Sequence, residues 1–275
     1  MLETITVGIL RVDTAKVRAT AHGRPPILFI HGFLATSWVY ESYLGFFADR
    51  GFPGFALNLR GRNGSALADG ANIGAVELED YLEDARQVTR WIAERLERPI
   101  VFGHSMGGLL AQKLGEEGLA RALVLLSSAP PRGIGLMSWS LMRRQLRYVP
   151  ALLRSKPVAP RFADARELVL NKIPTRDQQS VFSHLVPDSG RAGRQLSFGS
   201  LAVNERRLRE NDCPVLVVTS DEDHFIPSPI AQRIAEKYHA PVFMARGHGH
   251  LMLREPGWEE AATFIADWIA RQVVA

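Results

Sequence analysis

A single cysteine, Cys213, stands among 275 residues, so no disulfide within the chain can hold the fold and a buried apolar core must do so. It directly precedes Pro214 and an apolar run, which makes it a small core side chain. Lysine is also scarce, supplying only five of 33 cations while arginine supplies the rest, and no zinc-finger, RRM or KH spacing occurs among them. Nucleic acid is therefore not an expected partner. Long apolar runs are missing: pieces such as ILFI, VLVV and LVLL fall far short of the roughly 18 residues that cross a bilayer. The first residues alternate apolar and polar side chains and lack a basic segment followed by a continuous apolar one, so they read as a strand and a cytoplasmic location is expected. No G-x-G-x-x-G follows a strand and no G-x-x-x-x-G-K-[ST] occurs, so no nucleotide cofactor is implied.

What is present is ordinary for a folded, water-soluble chain: 46% hydrophobic and 23% charged residues, long enough for one large domain or two small ones. The net charge of +4 is unevenly spread. Residues 132–212 hold fifteen basic and seven acidic side chains, so the basic excess belongs to one stretch and the remainder is acidic.

Apolar runs Ile27–Ile30, Phe55–Leu59, Ile100–Phe102, Ala122–Leu126, Val215–Thr219 and Val242–Ala245 read as strands. Their continuity suits central parallel strands covered on both faces. Helical spacing marks Val76–Leu96, Met106–Gly115, Ile230–Tyr238 and Trp258–Val273. Strands separated by helices predict an α/β fold with a doubly wound, mostly parallel sheet, and the first twenty residues add an antiparallel hairpin at one edge. The alternation stops between Pro130 and Phe198, where prolines punctuate short helical pieces and no strand is evident. The first piece, Leu136–Val149, sets Trp139 and other apolar residues among arginines, as an amphipathic helix would.

Gly103-His104-Ser105-Met106-Gly107 matches the G-x-S-x-G nucleophile elbow, with a strand before it and a small-residue helix after it. Together with Ile30-His31-Gly32-Phe33 and later Asp and His segments, it resembles the α/β-hydrolase superfamily over nearly the whole chain, in particular the esterase- and lipase-like serine hydrolases that carry a cap. The resemblance implies an eight-stranded core formed by residues 1–130 and 199–275, with a helical cap at 131–198. It also implies acyl transfer: Ser105 attacks a carbonyl, a histidine takes its proton, and a carboxylate orients that histidine.

Ser220-Asp221-Glu222-Asp223-His224-Phe225-Ile226-Pro227 is similar to the family's acid loop and aligns Asp223 with the acid, Asp221 and Glu222 being the alternatives. Arg246-Gly247-His248-Gly249-His250 aligns His250 with the base, with His248 as runner-up. By the same resemblance the backbone N–H groups of Phe33 and Met106 form the oxyanion hole, and His31 fixes its loop. Arg60-Gly61-Arg62-Asn63-Gly64-Ser65 resembles a structural loop of the family, with Asn58 where an Asp is usual. Phe33, Leu34, His104, Trp139 and His224 are candidate substrate contacts, and His22, His184 and His239 read as surface residues. His248 and His250 with Asp221 and Asp223 could ligate a metal, but each has a place in the hydrolase reading and no metal is expected.

The expected substrate is a small ester with an apolar acyl or aromatic group, and the expected enzyme is a carboxylesterase. A carbon–carbon bond hydrolase or thioesterase using the same triad stays open, as does a non-hydrolytic receptor of this fold. The arginine-rich cap could meet an anionic head group or an acidic membrane surface.

Overall fold

The computed structural model describes residues 2–17, 23–135, 146–199 and 201–273. Strands β1 (Leu2–Val7), β2 (Leu10–Ala15), β3 (Ile27–Ile30), β4 (Gly54–Asn58), β5 (Ile100–His104) and β6 (Ala122–Leu126) precede the insertion, and β9 (Val215–Ser220) and β10 (Val242–Ala245) follow it. They form one eight-stranded sheet in the order β1-β2-β4-β3-β5-β6-β9-β10. β1 pairs antiparallel with β2, and β2 with β4; all other pairs are parallel. This is the α/β-hydrolase arrangement, with the hairpin at its edge.

The reason for the unbroken apolar runs is visible in the packing. Leu28, Ile30, Val101, Leu123, Leu125 and Val217 point to one face, where α2 (Leu78–Arg95), α3 (Met106–Glu116) and α9 (Ser228–Tyr238) cover them. The alternate positions Ile27, Phe29, Phe102, Val124, Leu126 and Val218 point to the other, under α1 (Glu41–Ala48) and α10 (Trp258–Gln272). Because successive side chains alternate across a strand, a sheet covered on both sides needs apolar residues at every position. Cys213 joins the first core, and burial pushes its thiol up to about 12.

Between β6 and β9 the described insertion contains short helices α4 (Val149–Leu153), α5 (Phe162–Leu168), α6 (Gln178–Phe182) and α7 (Gly190–Ser197), and α8 (Glu205–Glu210) follows. It also contains a pairing that the sequence did not suggest, β7 (Pro157–Val158) antiparallel to β8 (Asp188–Ser189). Two-residue strands leave no periodicity to read. The expected helix at 136–149 and its Trp139 lie mostly outside the described residues. No described helix is long and apolar enough to cross a membrane.

The departure at Asn58 has a clear partner set. Its Oδ1 accepts the Ser37 N–H at 3.0 Å and its Nδ2 donates to Asp13 at 3.1 Å. An aspartate could not donate, and would put a second carboxylate against Asp13.

Candidate active site

Ser105 is the one residue joining β5 to α3, with φ 53° and ψ −118°. Such a backbone persists in a non-glycine residue only where its surroundings hold it. Here its N–H donates to Leu126 at 3.0 Å, and its carbonyl accepts from Gly108 at 3.0 Å and Ala129 at 2.8 Å. The flanking glycines are required by backbone proximity: a Cβ on Gly103 would lie 2.3 Å from the Gly107 oxygen, and one on Gly107 would lie 2.1 Å from that of Ile30. The His31-Gly32-Phe33-Leu34 loop packs directly on the serine, since a Cβ on Gly32 would come within 2.9 Å of Ser105 Cβ.

His31 is fully buried, donating from Nδ1 to the Gly32 carbonyl at 2.9 Å and accepting the Leu59 N–H at Nε2, 3.2 Å. Burial, reinforced by the charge of Arg62, lowers its pKa to about 3, so it stays neutral and acts as a brace for the loop. Among the described residues the Phe33 N–H has no hydrogen-bond acceptor. The Met106 N–H, first in α3, has no partner within the helix and lies at the positive end of its dipole. Both residues line the cavity in which Ser105 stands.

The C-terminal ends of β9 and β10 bring the other two residues together. His250 Nδ1 donates to Asp223 Oδ2 at 2.9 Å, and both side chains are buried. Asp223 Oδ1 accepts the N–H groups of Phe225 and Ile226, each at 2.8 Å. Burial favours the neutral carboxyl, but His250 and those two N–H groups outweigh it and hold Asp223 below the usual carboxylate range. The alternatives are occupied elsewhere. Asp221 is exposed and accepts the Gly247 N–H at 2.7 Å, tying the acid loop to the histidine loop. Glu222 pairs with Lys172 at 2.7 Å. His248 faces Glu255 instead, Nδ1 to Oε2 at 3.1 Å.

Two candidate substrate contacts are corrected. His104 is buried behind Ser105, its ring 4.8 Å from that of His250, and its Nε2 donates to the His250 carbonyl at 2.9 Å. Burial and the neighbouring His250 lower its pKa to about 3, so a neutral His104 anchors the histidine loop and does not reach the cavity. His224 turns outward to the Glu167 carbonyl, 2.9 Å away, because Phe225 and Ile226 take the inward positions of that turn. Phe33 and Leu34 do line the cavity. His184 and His239 are exposed as expected, His184 stacking on Trp38.

The cavity, about 150 Å³, lies between the sheet's C-terminal edge and the insertion. Leu152, Val158, Leu168, Val169 and Leu196 of the insertion face Phe33, Leu34, Met106 and Phe225 across it. Tyr148, Arg161, Asp164 and Ser197 are the charged or hydroxylated side chains that the insertion adds to its wall, and the Tyr148 hydroxyl donates to Asp164 at 2.6 Å. Burial and that carboxylate push the phenol up to about 12. None of these insertion residues carries a motif, and apolar spacing in short helices does not separate a pocket wall from core. Of the other arginines of the insertion, Arg147 pairs with Asp164 at 3.1 Å and Arg191 with Glu77 at 2.8 Å. Among the described residues no three His, Cys, Asp or Glu side chains are placed to share a metal ion.

Comparison with solved structures shows the same fold at low identity. A mutant of the N-acyl homoserine lactonase AidH, complexed with N-hexanoyl homoserine, is 16% identical with a TM-score of 0.72, covering 99% of this chain and 98% of that one. A thermophilic esterase from Thermogutta terrifontis is 18% identical (TM-score 0.71, 98% of each chain), and a carboxylesterase structure from Nitrososphaera gargenis is 14% identical (TM-score 0.70, 98% of each chain). No curated protein sequence matches significantly. The model of the alpha/beta hydrolase family matches residues 27–263, from the first parallel strand into the last helix. The chain therefore belongs to the alpha/beta hydrolase family.

Proposed function

We propose that the protein is a serine esterase acting on small esters of apolar or aromatic acids, with the insertion as a cap over its pocket. The observation that carries this reading is the buried His250–Asp223 hydrogen bond, 2.9 Å long, with the His250 ring 5.1 Å from that of Phe225, which lines the same apolar cavity as the positive-φ Ser105. With Nδ1–H committed to Asp223, His250 presents Nε2 as a base, the tautomer that proton abstraction from Ser105 requires. Ser105 Oγ attacks the ester carbonyl as its proton passes to His250. The negative charge that forms on the carbonyl oxygen is met by the N–H groups of Phe33 and Met106. His250 then protonates the departing alkoxide, and water repeats the sequence on the acyl-enzyme.

Cavity size narrows the acyl group. An apolar cavity of about 150 Å³ matches a benzene-sized guest, which favours butanoyl, hexanoyl and benzoyl groups as the acyl part. A fluorophosphonate should label Ser105 in the wild type and not in Ser105→Ala. A panel of p-nitrophenyl esters, a hexanoyl lactone, an acyl-CoA and a vinylogous dienoate should show the short esters turned over fastest. Preference for the dienoate or the thioester would assign the same triad to carbon–carbon or thioester cleavage.

A further inference from the structure

The insertion grips the loop carrying Phe33 at three points. Leu34 has a left-handed backbone, φ 62°, which a bulky L-residue keeps only under restraint. Its N–H donates to Asp188 Oδ2 at 2.7 Å, and its carbonyl accepts the Val186 N–H at 2.9 Å. The Phe33 ring lies against Gly193, where a Cβ would come within 3.1 Å of its Cζ.

Asp188 is itself clamped. It is fully buried, and its Oδ1 accepts the Tyr81 hydroxyl at 2.8 Å and the Ser189 N–H at 2.6 Å while pairing with the guanidinium of Arg62. Arg62, 1% exposed, also donates to the Tyr81 hydroxyl at 2.9 Å, and its Cζ lies 4.7 Å from the centre of that ring. Buried ion pairs commonly stabilise a fold no better than apolar residues of the same volume. The pair is therefore weak evidence of added stability, and it leaves the second Asp188 oxygen turned to the Leu34 N–H.

We infer that Asp188 is a positioning residue for the hydrolysis: held by Arg62 and Tyr81, its carboxylate fixes the Leu34 amide and so sets the preceding Phe33 N–H for the oxyanion. The inference rests on the serine-hydrolase reading, in which that N–H is one of two donors. No proton passes through Asp188. Its effect is geometric, and a displacement of about 1 Å in such a site costs on the order of 100-fold in rate.

The test is the paired variant Arg62→Met/Asp188→Leu, which removes the acceptor without leaving a buried charge. Folded variant should show kcat for p-nitrophenyl butyrate reduced about 10- to 100-fold with KM nearly unchanged. The inhibition constant of 1,1,1-trifluoro-2-hexanone, whose adduct with Ser105 carries an oxyanion, should rise by the same factor as kcat/KM falls. Wild-type kcat, or a loss carried by KM alone, overturns the inference. If the pair does not fold, Tyr81→Phe removes the hydroxyl that donates to Asp188 and accepts from Arg62 and leaves the ions paired; kcat should fall at least about fivefold, the worth of the hydrogen bond lost to Asp188, and an unchanged kcat overturns the inference. Fluorophosphonate labelling of the wild type separates the two readings: labelling with an unaffected variant sinks the role of Asp188 alone, and absence of labelling sinks the hydrolase reading and this one with it.

Discussion

Replacing Asp223 by Asn changes one atom and should disable the site through the tautomer of its histidine. Asp223 Oδ1 already accepts two backbone N–H groups at 2.8 Å, and Oδ2 accepts the His250 Nδ1–H at 2.9 Å. In Asp223→Asn the carboxamide oxygen stays with the two N–H donors, because turning the NH₂ toward them would set donors against donors. The NH₂ then faces His250 Nδ1, which must accept, and the imidazole proton moves to Nε2. That nitrogen can no longer take the Ser105 proton. The same substitution in a Ser-His-Asp protease lowers kcat about 10⁴-fold, or about 5 kcal/mol of transition-state stabilisation at 1.36 kcal/mol per decade. Steady-state hydrolysis of p-nitrophenyl butyrate should show this loss in kcat with KM little changed and the circular dichroism spectrum retained. Asp221→Asn, at an exposed position, should stay within about threefold of wild type, since one partly solvated hydrogen bond is at stake. A kcat for Asp223→Asn within tenfold of wild type, or a larger loss from Asp221→Asn, would refute the tautomer argument.

Asp223 also predicts a pH dependence. Its folded pKa is depressed, so its contribution to stability is fully present above the unfolded value of about 3.9 and is lost as pH falls through the folded value. The gap in urea midpoint between wild type and Asp223→Asn should therefore narrow as pH drops from 6 to 3; a gap that widens would mean that the carboxylate is not stabilised by its partners. Gly32→Ala places a methyl 2.9 Å from Ser105 Cβ and should destabilise by about 1–3 kcal/mol, the usual range for overpacking, with most activity lost; an unchanged urea midpoint would show that the loop has room to move. Arg161 lines the cavity, so Arg161→Gln should raise KM for a monoester of a dicarboxylic acid and leave p-nitrophenyl butyrate unaffected. In the wild type only the anionic ester should respond to added salt, and equal responses would place Arg161 outside substrate recognition.

The parts of this protein that could be read from its sequence are those whose geometry is encoded locally. Ile27–Ile30 and Ala122–Leu126 coincide with their strands end to end, because a sheet covered on both faces writes an apolar run bounded by polar or turn residues; Val242–Ala245 coincides too, although Val242 in this edge strand is exposed. Gly103-His104-Ser105-Met106-Gly107 could be read because close backbone approach excludes a Cβ at both glycines, whatever the rest of the chain does. The pairing of Asp223 with His250 was legible through resemblance, and spacing alone left Asp221 and Glu222 open. His224 and His104 show the limit of adjacency: neighbours of Asp223 and Ser105 in sequence, they do not line the cavity, because successive residues in a turn or strand point in different directions.

Arg62 and Asp188 mark a second limit. In the sequence Arg62 is one arginine among 28, and its loop is a glycine-rich turn that would ordinarily expose it. Its near-complete burial follows only from a carboxylate supplied by the far end of the insertion. Nothing near either residue signals the other, since a buried charge is tolerated through its partner and not through its neighbours in the chain. The same holds for Leu34, whose left-handed backbone is carried by a residue with no intrinsic preference for it and is held by Val186 and Asp188. A glycine at 34 would have announced a turn. A leucine there shows that the conformation is imposed by tertiary contacts, so the loop and the insertion that holds it have to be perturbed together to be understood.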